Sequence, residues 1–247
     1  MNDAFPDEVK NRLLPHLKLV ELPAGKILFD ANEKENFVFF PINCIIAQTY
    51  MTQSGASSEI SMVGSEGLIG LSSLLGGEST TSRSIVLSGG YAHRLPSQQL
   101  KTEFNRYAES WELILRYAQA LITQVAQTAV CNRHCNLDHR LCTWLLLLLD
   151  RLEGNQLTMT QEMIANMLGV RREGVTIAAG QLQKLGIIEC QRGHITVLDR
   201  AALEERCCEC YFVVQKETNR LLPYLQQDET EGQEWKFPAS ALKAETY

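Results

Sequence analysis

The sequence predicts an α+β protein that consists of an N-terminal β-roll of the jelly-roll type, a long helix and a C-terminal winged helix-turn-helix. Short apolar or alternating segments separated by turn residues fill residues 17–95, which is typical of a small antiparallel β-structure. A helical period of three and four residues begins at Trp111. Further along, a glycine-centred apolar pattern indicates two short helices joined by a sharp turn.

The β-roll is assigned to residues 1–105. Its apolar segments are bounded by Pro, Gly, Asn and Ser residues, which favour turns between short strands. We expect these strands to pack as two sheets around one core. The predicted strands are 17–22, 26–29, 36–40, 44–50, 59–63, 84–87 and 91–95.

A long helix is predicted over residues 106–136. Its apolar side chains recur at alternating spacings of three and four and form one seam. This seam can pack on the β-roll, on a second copy of the chain, or on both, and we assign it to a dimer interface. Its members are Trp111, Ile114, Ala118, Leu121 and Val125.

Residues 160–180 carry the most specific pattern. Thr160 suits a helix N-cap, and Gly169 stands where a sharp turn needs positive φ. The second helix is expected to begin near Arg171 and to present its first turn to base edges, although a helical hairpin with solvated arginines is an alternative. The candidate DNA-contacting residues are Thr160, Gln161, Arg171, Arg172, Glu173, Thr176 and Arg192.

A wing is predicted after these helices, with strands at 185–190 and 195–198 and Arg192 in the turn between them, either at a phosphate or as a surface arginine. Between residues 160 and 198, four basic and three acidic residues leave a net charge of +1. Affinity for DNA must therefore come from individual contacts made by two copies of the chain, and not from a general positive field. This domain is assigned to residues 137–222, and the acidic residues 223–247 are expected to form a flexible tail.

Composition narrows the class of protein further. The chain has 247 residues, of which 45% are hydrophobic and 21% charged, as in globular proteins with one or two domains. Its longest apolar run, at 144–149, is far below the roughly 20 residues of a membrane span, and no secretory signal pattern is present. We expect a cytoplasmic protein with reduced cysteines. The net charge of −6 argues against a general positive field, although local charge decides contacts within about 8 Å.

In this order, the segments resemble the Crp/Fnr family of bacterial transcription regulators over residues 10–222. The similarity is most specific over 157–198, where Arg172 and Glu173 match the Arg-Glu pair at the start of the family's recognition helix. It implies a homodimer that binds a palindromic operator in double-stranded DNA, with RNA polymerase and an unidentified small-molecule effector as further partners. Ile177 stands where the family often has arginine, which implies a different operator from that of the catabolite activator or Fnr.

The resemblance also implies an effector pocket formed by Gly70, Leu71, Arg83 and Ser84. In members that respond to cyclic AMP, a Glu after the second glycine holds the ribose hydroxyl, and an Arg-Ser or Arg-Thr pair holds the cyclic phosphate. Leu71 occupies the position of that Glu, and burying an unpaired hydroxyl costs about 1–3 kcal/mol. Cyclic AMP is therefore disfavoured, and Arg83 is left for another anion or for a structural role.

Several cysteines lie near the end of the long helix and after the wing. Spacing places Cys131, His134 and Cys135 on one helical face, where three metal ligands are geometrically conceivable, but small buried thiols are the favoured interpretation. No metal or cofactor is assigned. An iron-sulfur cluster of the Fnr type is excluded, because Cys44 is the only cysteine in the first 130 residues.

Two alternative functions are considered. Cys207, Cys208 and Cys210, predicted in the helix after the wing, suggest a thiol-based redox-sensing regulator, although neighbouring glutamates raise thiol pKa values and oppose reactivity. A cupin-like receptor or enzyme needs histidines on the strands, and His93 is the only histidine between residues 17 and 133. No catalytic residue is assigned.

Overall fold

The structure, a computed structural model, describes residues 4–106 and 108–226. In the N-terminal part, a strand lies close to each predicted segment, because alternating apolar residues and turn-forming residues specify strands locally. The elements are α1 (Asp7–Leu13), β1 (Lys18–Leu22), β2 (Ile27–Phe29), β3 (Phe37–Pro41), β4 (Ile45–Met51), β5 (Ser57–Val63), α2 (Leu71–Leu74), β6 (Arg83–Ser88), β7 (Gly90–Pro96) and α3 (Ser97–Phe104).

These strands form two antiparallel sheets with the orders β1-β7-β3 and β2-β6-β4-β5. The sheets enclose a core of buried apolar side chains that includes Val38, Ile46 and Leu95. Phe5, which precedes α1, completes this core and packs edge-on against Phe40. The predicted β-roll is thus confirmed.

The long helix α4 spans Ala108–His134. Ile114 and Ala118 are buried within the chain and belong to the β-roll core. This placement corrects the assignment of these two side chains to a dimer contact, because both are already covered by their own chain. Trp111 and Leu121 pack partly against the same core. Among the described helices, none combines the length and apolarity needed to cross a membrane.

The C-terminal part has a three-stranded sheet in the order β8-β10-β9. Strand β8 has no counterpart among the predicted strands, and the wing strands begin or end one to three residues from the predicted bounds. The elements are α5 (Leu137–Leu149), β8 (Gln156–Thr158), α6 (Gln161–Leu168), α7 (Arg172–Lys184), β9 (Ile188–Gln191), β10 (His194–Val197), α8 (Arg200–Arg206) and α9 (Glu209–Leu221).

Two predictions at the C-terminal end need correction. Cys207 and Cys208 do not lie inside one helix, because α8 ends at Arg206 and α9 begins at Glu209. The predicted tail starts too early: Pro223–Gln226 is a 3₁₀ turn, and the Tyr224 hydroxyl donates to the Glu66 carbonyl at 2.8 Å. The remaining tail residues, 227–247, lie outside the described residues.

The β-roll and the C-terminal domain are in direct contact. The indole Nε1 of Trp144 in α5 donates to the Glu59 carboxylate of β5 at 3.1 Å. Arg151 and Glu66 form an ion pair at 2.6 Å with both side chains largely buried. Because these contacts and a shared apolar cluster join the two parts, a change in the β-roll can reach the C-terminal domain.

Candidate DNA-binding surface

The helix-turn-helix is held by a side-chain cap and a glycine turn. The Thr160 hydroxyl accepts a hydrogen bond from the Met163 amide at 3.2 Å, which satisfies a free donor at the start of α6. Gly169 ends α6 with φ +64°, a conformation that a side chain disfavours. Ile164 and Val175 are fully buried between α6 and α7, so both helices are fixed relative to each other.

The first turn of α7 is exposed to solvent. Arg171 is its N-cap residue, and Arg172, Glu173 and Thr176 are exposed along the first turns. The Thr176 hydroxyl donates to the Gln161 side-chain oxygen at 2.7 Å. This bond ties the first residue of α6 to the exposed face of α7, and so places both polar groups on one surface.

A cleft of about 340 Å³ lies between the two helices and the wing. Its walls bring together four of the predicted residues: Thr160 and Gln161 from the start of α6, Arg172 from α7 and Arg192 from the wing. The structure therefore joins the start of α7 and the wing tip in one site. Arg171, Glu173 and Thr176 lie outside the cleft lining, on the adjoining exposed turns.

The wing tip is a two-residue turn. Gln191 pairs with His194 across it, and the intervening Arg192 and Gly193 both have positive φ, +29° and +85°. Such a turn favours residues that tolerate positive φ and matches the twist of the flanking strands. It projects the Arg192 side chain from the end of the wing.

Sequence reasoning did not assign three exposed residues of this surface. Gln191 and His194 line the cleft. The sequence does not show this, because the wing approaches the helices only in the folded chain. Ile177 is 62% exposed on α7, where its apolar side chain suits a thymine methyl group. The signal for Ile177 was its position one turn after Glu173.

In the predicted effector pocket, the positively charged Arg83 is already bound by a carboxylate of the same chain. The Arg83 guanidinium binds the Asp30 carboxylate through two hydrogen bonds of 3.1 and 2.8 Å. The same hydrogen bonds raise the pKa of Arg83 and lower that of Asp30. Ser84, the next residue, is fully buried. Arg83 therefore has a partner within the protein.

The short helix α2, which follows Gly70, is likewise bound by a carboxylate of the same chain. Gly70 has φ +101°, and a Cβ there would lie 2.6 Å from the Phe37 carbonyl oxygen, so only glycine fits. Leu71 is buried at the start of α2. The Ser73 amide donates to the buried Glu35 carboxylate at 3.0 Å, and burial raises the pKa of Glu35. Glu35 thus occupies the amide end of this short helix.

Comparisons with known proteins agree with this geometry. Residues 139–206 match the family described as the Crp-like helix-turn-helix domain. A putative Crp/Fnr-family transcriptional regulator from Eubacterium rectale superposes with a TM-score of 0.66 at 19% identity, covering 83% of this chain and 95% of that one. No curated protein sequence matches the chain.

Two further solved structures share the fold. FixK2 from Bradyrhizobium japonicum has a TM-score of 0.68 at 15% identity, covering 78% of this chain and 98% of that one. The regulator CLP of Xanthomonas campestris, described as responsive to c-di-GMP, has a TM-score of 0.62 at 13% identity, covering 78% and 100%. At these identities the similarity establishes a common fold.

Proposed function

Because the chain carries a Crp-like helix-turn-helix domain within the fold of Crp/Fnr regulators, we propose that it is a homodimeric, sequence-specific DNA-binding transcription regulator. The observation that carries this proposal is the cleft that joins Thr160, Gln161, Arg172 and Arg192. It combines a recognition-helix arginine with polar and basic groups suited to the phosphates beside a major groove.

Each exposed residue has a role that follows from its chemistry. Arg172 is assigned to bridge O6 and N7 of a guanine, and Glu173 is assigned to accept from cytosine N4. Ile177 is assigned to a thymine methyl group. Arg192, at the wing tip, and Arg171, at the helix start, are assigned to phosphates, which fix the position of the protein without reading sequence.

The dimer contact is proposed for the exposed face of α4. Leu115, Ile122, Ala126 and Ala129 are exposed and recur at spacings of seven, four and three, the repeat of a two-helix contact. Leu115 and Ile122 are 56% and 60% exposed, and a second copy of the same helix is the partner that covers such a stripe. Two recognition helices related by a twofold axis then meet half-sites about 34 Å apart.

The effector pocket is proposed to be degenerate. The cation and helix amide that would hold a cyclic phosphate are bound instead to Asp30 and Glu35. A nucleotide must displace these carboxylates and also leave its ribose hydroxyl against Leu71. We propose that cyclic AMP is not the signal and that any effector has a different chemistry.

The proposal is tested by selecting operators from random DNA with the purified protein and then measuring binding of variants. Arg172→Ala should weaken binding to the selected operator by about 1–3 kcal/mol for each half-site and relax the preference at one base pair in each of them. Lys216→Ala, which removes an exposed positive charge from α9, is the matched control and should bind as the wild type does. Equal operator affinity of Arg172→Ala and wild type would show that α7 does not read the bases.

A further inference from the structure

Four cysteine side chains from distant parts of the chain meet in one cluster. Cys131 lies in the last turn of α4 and Cys135 directly follows this helix, whereas Cys208 is the N-cap residue of α9 and Cys210 lies in its first turn. All four Sγ atoms lie within 4.8 Å of one another, and those of Cys131 and Cys208 are 3.3 Å apart. Cys135 is half-buried and the other three are buried. His134, considered with Cys131 and Cys135 from the sequence, is exposed and stays outside the cluster.

The size of the cluster matches a single metal ion. Zinc bound by four thiolates is tetrahedral with Zn–S distances of about 2.3 Å, which places the sulfur atoms about 3.8 Å apart. The 3.3 Å between the Cys131 and Cys208 sulfur atoms and the upper limit of 4.8 Å on all the separations bracket this value. An iron-sulfur cluster places several iron and sulfide ions between its cysteines, and therefore needs ligands spread more widely than these.

The surroundings provide a second coordination shell. The Thr143 hydroxyl lies 3.1 Å from the Cys208 sulfur and accepts from the Cys208 amide at 3.1 Å, which leaves its proton free to donate to the sulfur. Such hydrogen bonds orient metal-binding thiolates and moderate their charge.

Arg140 supplies positive charge beside the cluster. Its guanidinium lies near enough to attract thiolates at Cys131 and Cys135. Its Nη2 donates to the Leu168 carbonyl, and its Nε is buried without a hydrogen-bond partner. Within residues 4–106 and 108–226, no carboxylate forms an ion pair with it. Zinc with four thiolates carries a net charge of −2, so a neighbouring guanidinium without a carboxylate partner is what such a site needs.

We propose that Cys131, Cys135, Cys208 and Cys210 bind one zinc ion. Binding deprotonates the four thiols, and the protons pass to solvent. The ion connects the long helix α4 to the start of α9 and so fixes the C-terminal domain on the helix proposed to form the dimer. The site does not depend on DNA binding, because none of its ligands lies on the DNA-binding surface.

The first experiment measures zinc in the full-length chain, expressed with zinc and purified under reducing conditions. One zinc per chain is expected for the wild type, and substoichiometric traces for Cys131→Ser and Cys208→Ser. Cys207→Ser is the matched control: it adjoins Cys208, but its sulfur donates to the Glu204 carbonyl at 3.1 Å, so zinc should be retained. Full zinc content in both ligand variants would overturn the proposal.

The second experiment uses only wild-type protein, so that it does not depend on the folding of variants. Cobalt added to the metal-free protein should give the visible bands of a tetrahedral site and the near-ultraviolet charge-transfer band of thiolate ligands, and zinc should displace it. Absence of these bands would refute the site. Iron with acid-labile sulfide would refute a single zinc ion, and a Cys131–Cys208 disulfide in protein kept under reductant would favour redox sensing instead.

Discussion

Replacing Glu59 by Gln tests how the β-roll and the C-terminal domain are coupled. The Glu59 carboxylate is buried between the two parts and accepts from the Trp144 indole at 3.1 Å. Burial raises its pKa from 4.5 to about 8, although the Trp144 hydrogen bond and the positive charge of Arg151 oppose this rise. In the folded chain the carboxyl is therefore protonated under mildly acidic conditions.

The sign of the pH dependence follows from proton uptake. Between pH 4.5 and about 8, the folded state holds a proton on Glu59 that the unfolded state has released. The free energy of unfolding therefore falls as the pH rises through this range, at up to about 1.4 kcal/mol per pH unit. The stabilisation is complete below the pKa that Glu59 has in the unfolded state. It is lost as the pH approaches the pKa of Glu59 in the folded state, and the total loss is at most about 5 kcal/mol.

Glu59→Gln keeps an acceptor for Trp144 but cannot ionise. Urea unfolding at several pH values from mildly acidic to mildly alkaline, at one protein concentration, should give a flatter pH dependence for the variant than for the wild type. The other titrating groups contribute equally to both proteins, so their difference isolates Glu59. Glu153→Gln, at an exposed position, is the control and should follow the wild type. Parallel pH curves for wild type and Glu59→Gln would refute the argument.

Three further predictions concern the DNA-binding surface, the dimer and the effector. Arg192→Asn keeps a residue that tolerates positive φ, so operator affinity should fall evenly across sequences and its salt dependence should weaken by about one unit for each Arg192 of the dimer; an unchanged salt slope would remove Arg192 from the phosphate contacts. Leu115→Glu combined with Ile122→Glu should convert the dimer to a folded monomer in sedimentation, and a persisting dimer would place the interface elsewhere. Cyclic AMP should leave the wild-type melting temperature unchanged, since only a ligand that binds the folded state raises it; a clear rise would show that Asp30 yields to the nucleotide.

The sequence predicted the fold well because its signals are local. Strands such as β4 and β5 carry apolar residues between turn-forming ones within a few positions, and the helix-turn-helix spans 21 residues, 160–180, around Gly169. Strand β8 was missed because only three residues form it, and they become a strand by pairing Leu157 with Ile195. In the same way, His194 joined the cleft through the approach of the wing to the helices, which no local pattern records.

Functional assignments depended on which neighbour covers or binds each group, and periodicity does not contain that information. The seam through Ile114 was predicted as a dimer interface, but the β-roll of the same chain covers Ile114 and Ala118. Arg83 was assigned to the effector pocket, but the Asp30 carboxylate from another loop forms an ion pair with its guanidinium. The pair Cys131 and Cys135 and the pair Cys208 and Cys210 each offer too few ligands for a metal, and 77 positions separate Cys131 from Cys208. Which side chains of a helix stay exposed depends on the elements that pack against it. Interface, effector and metal sites are therefore decided by tertiary contacts, even where every helix and strand is predicted.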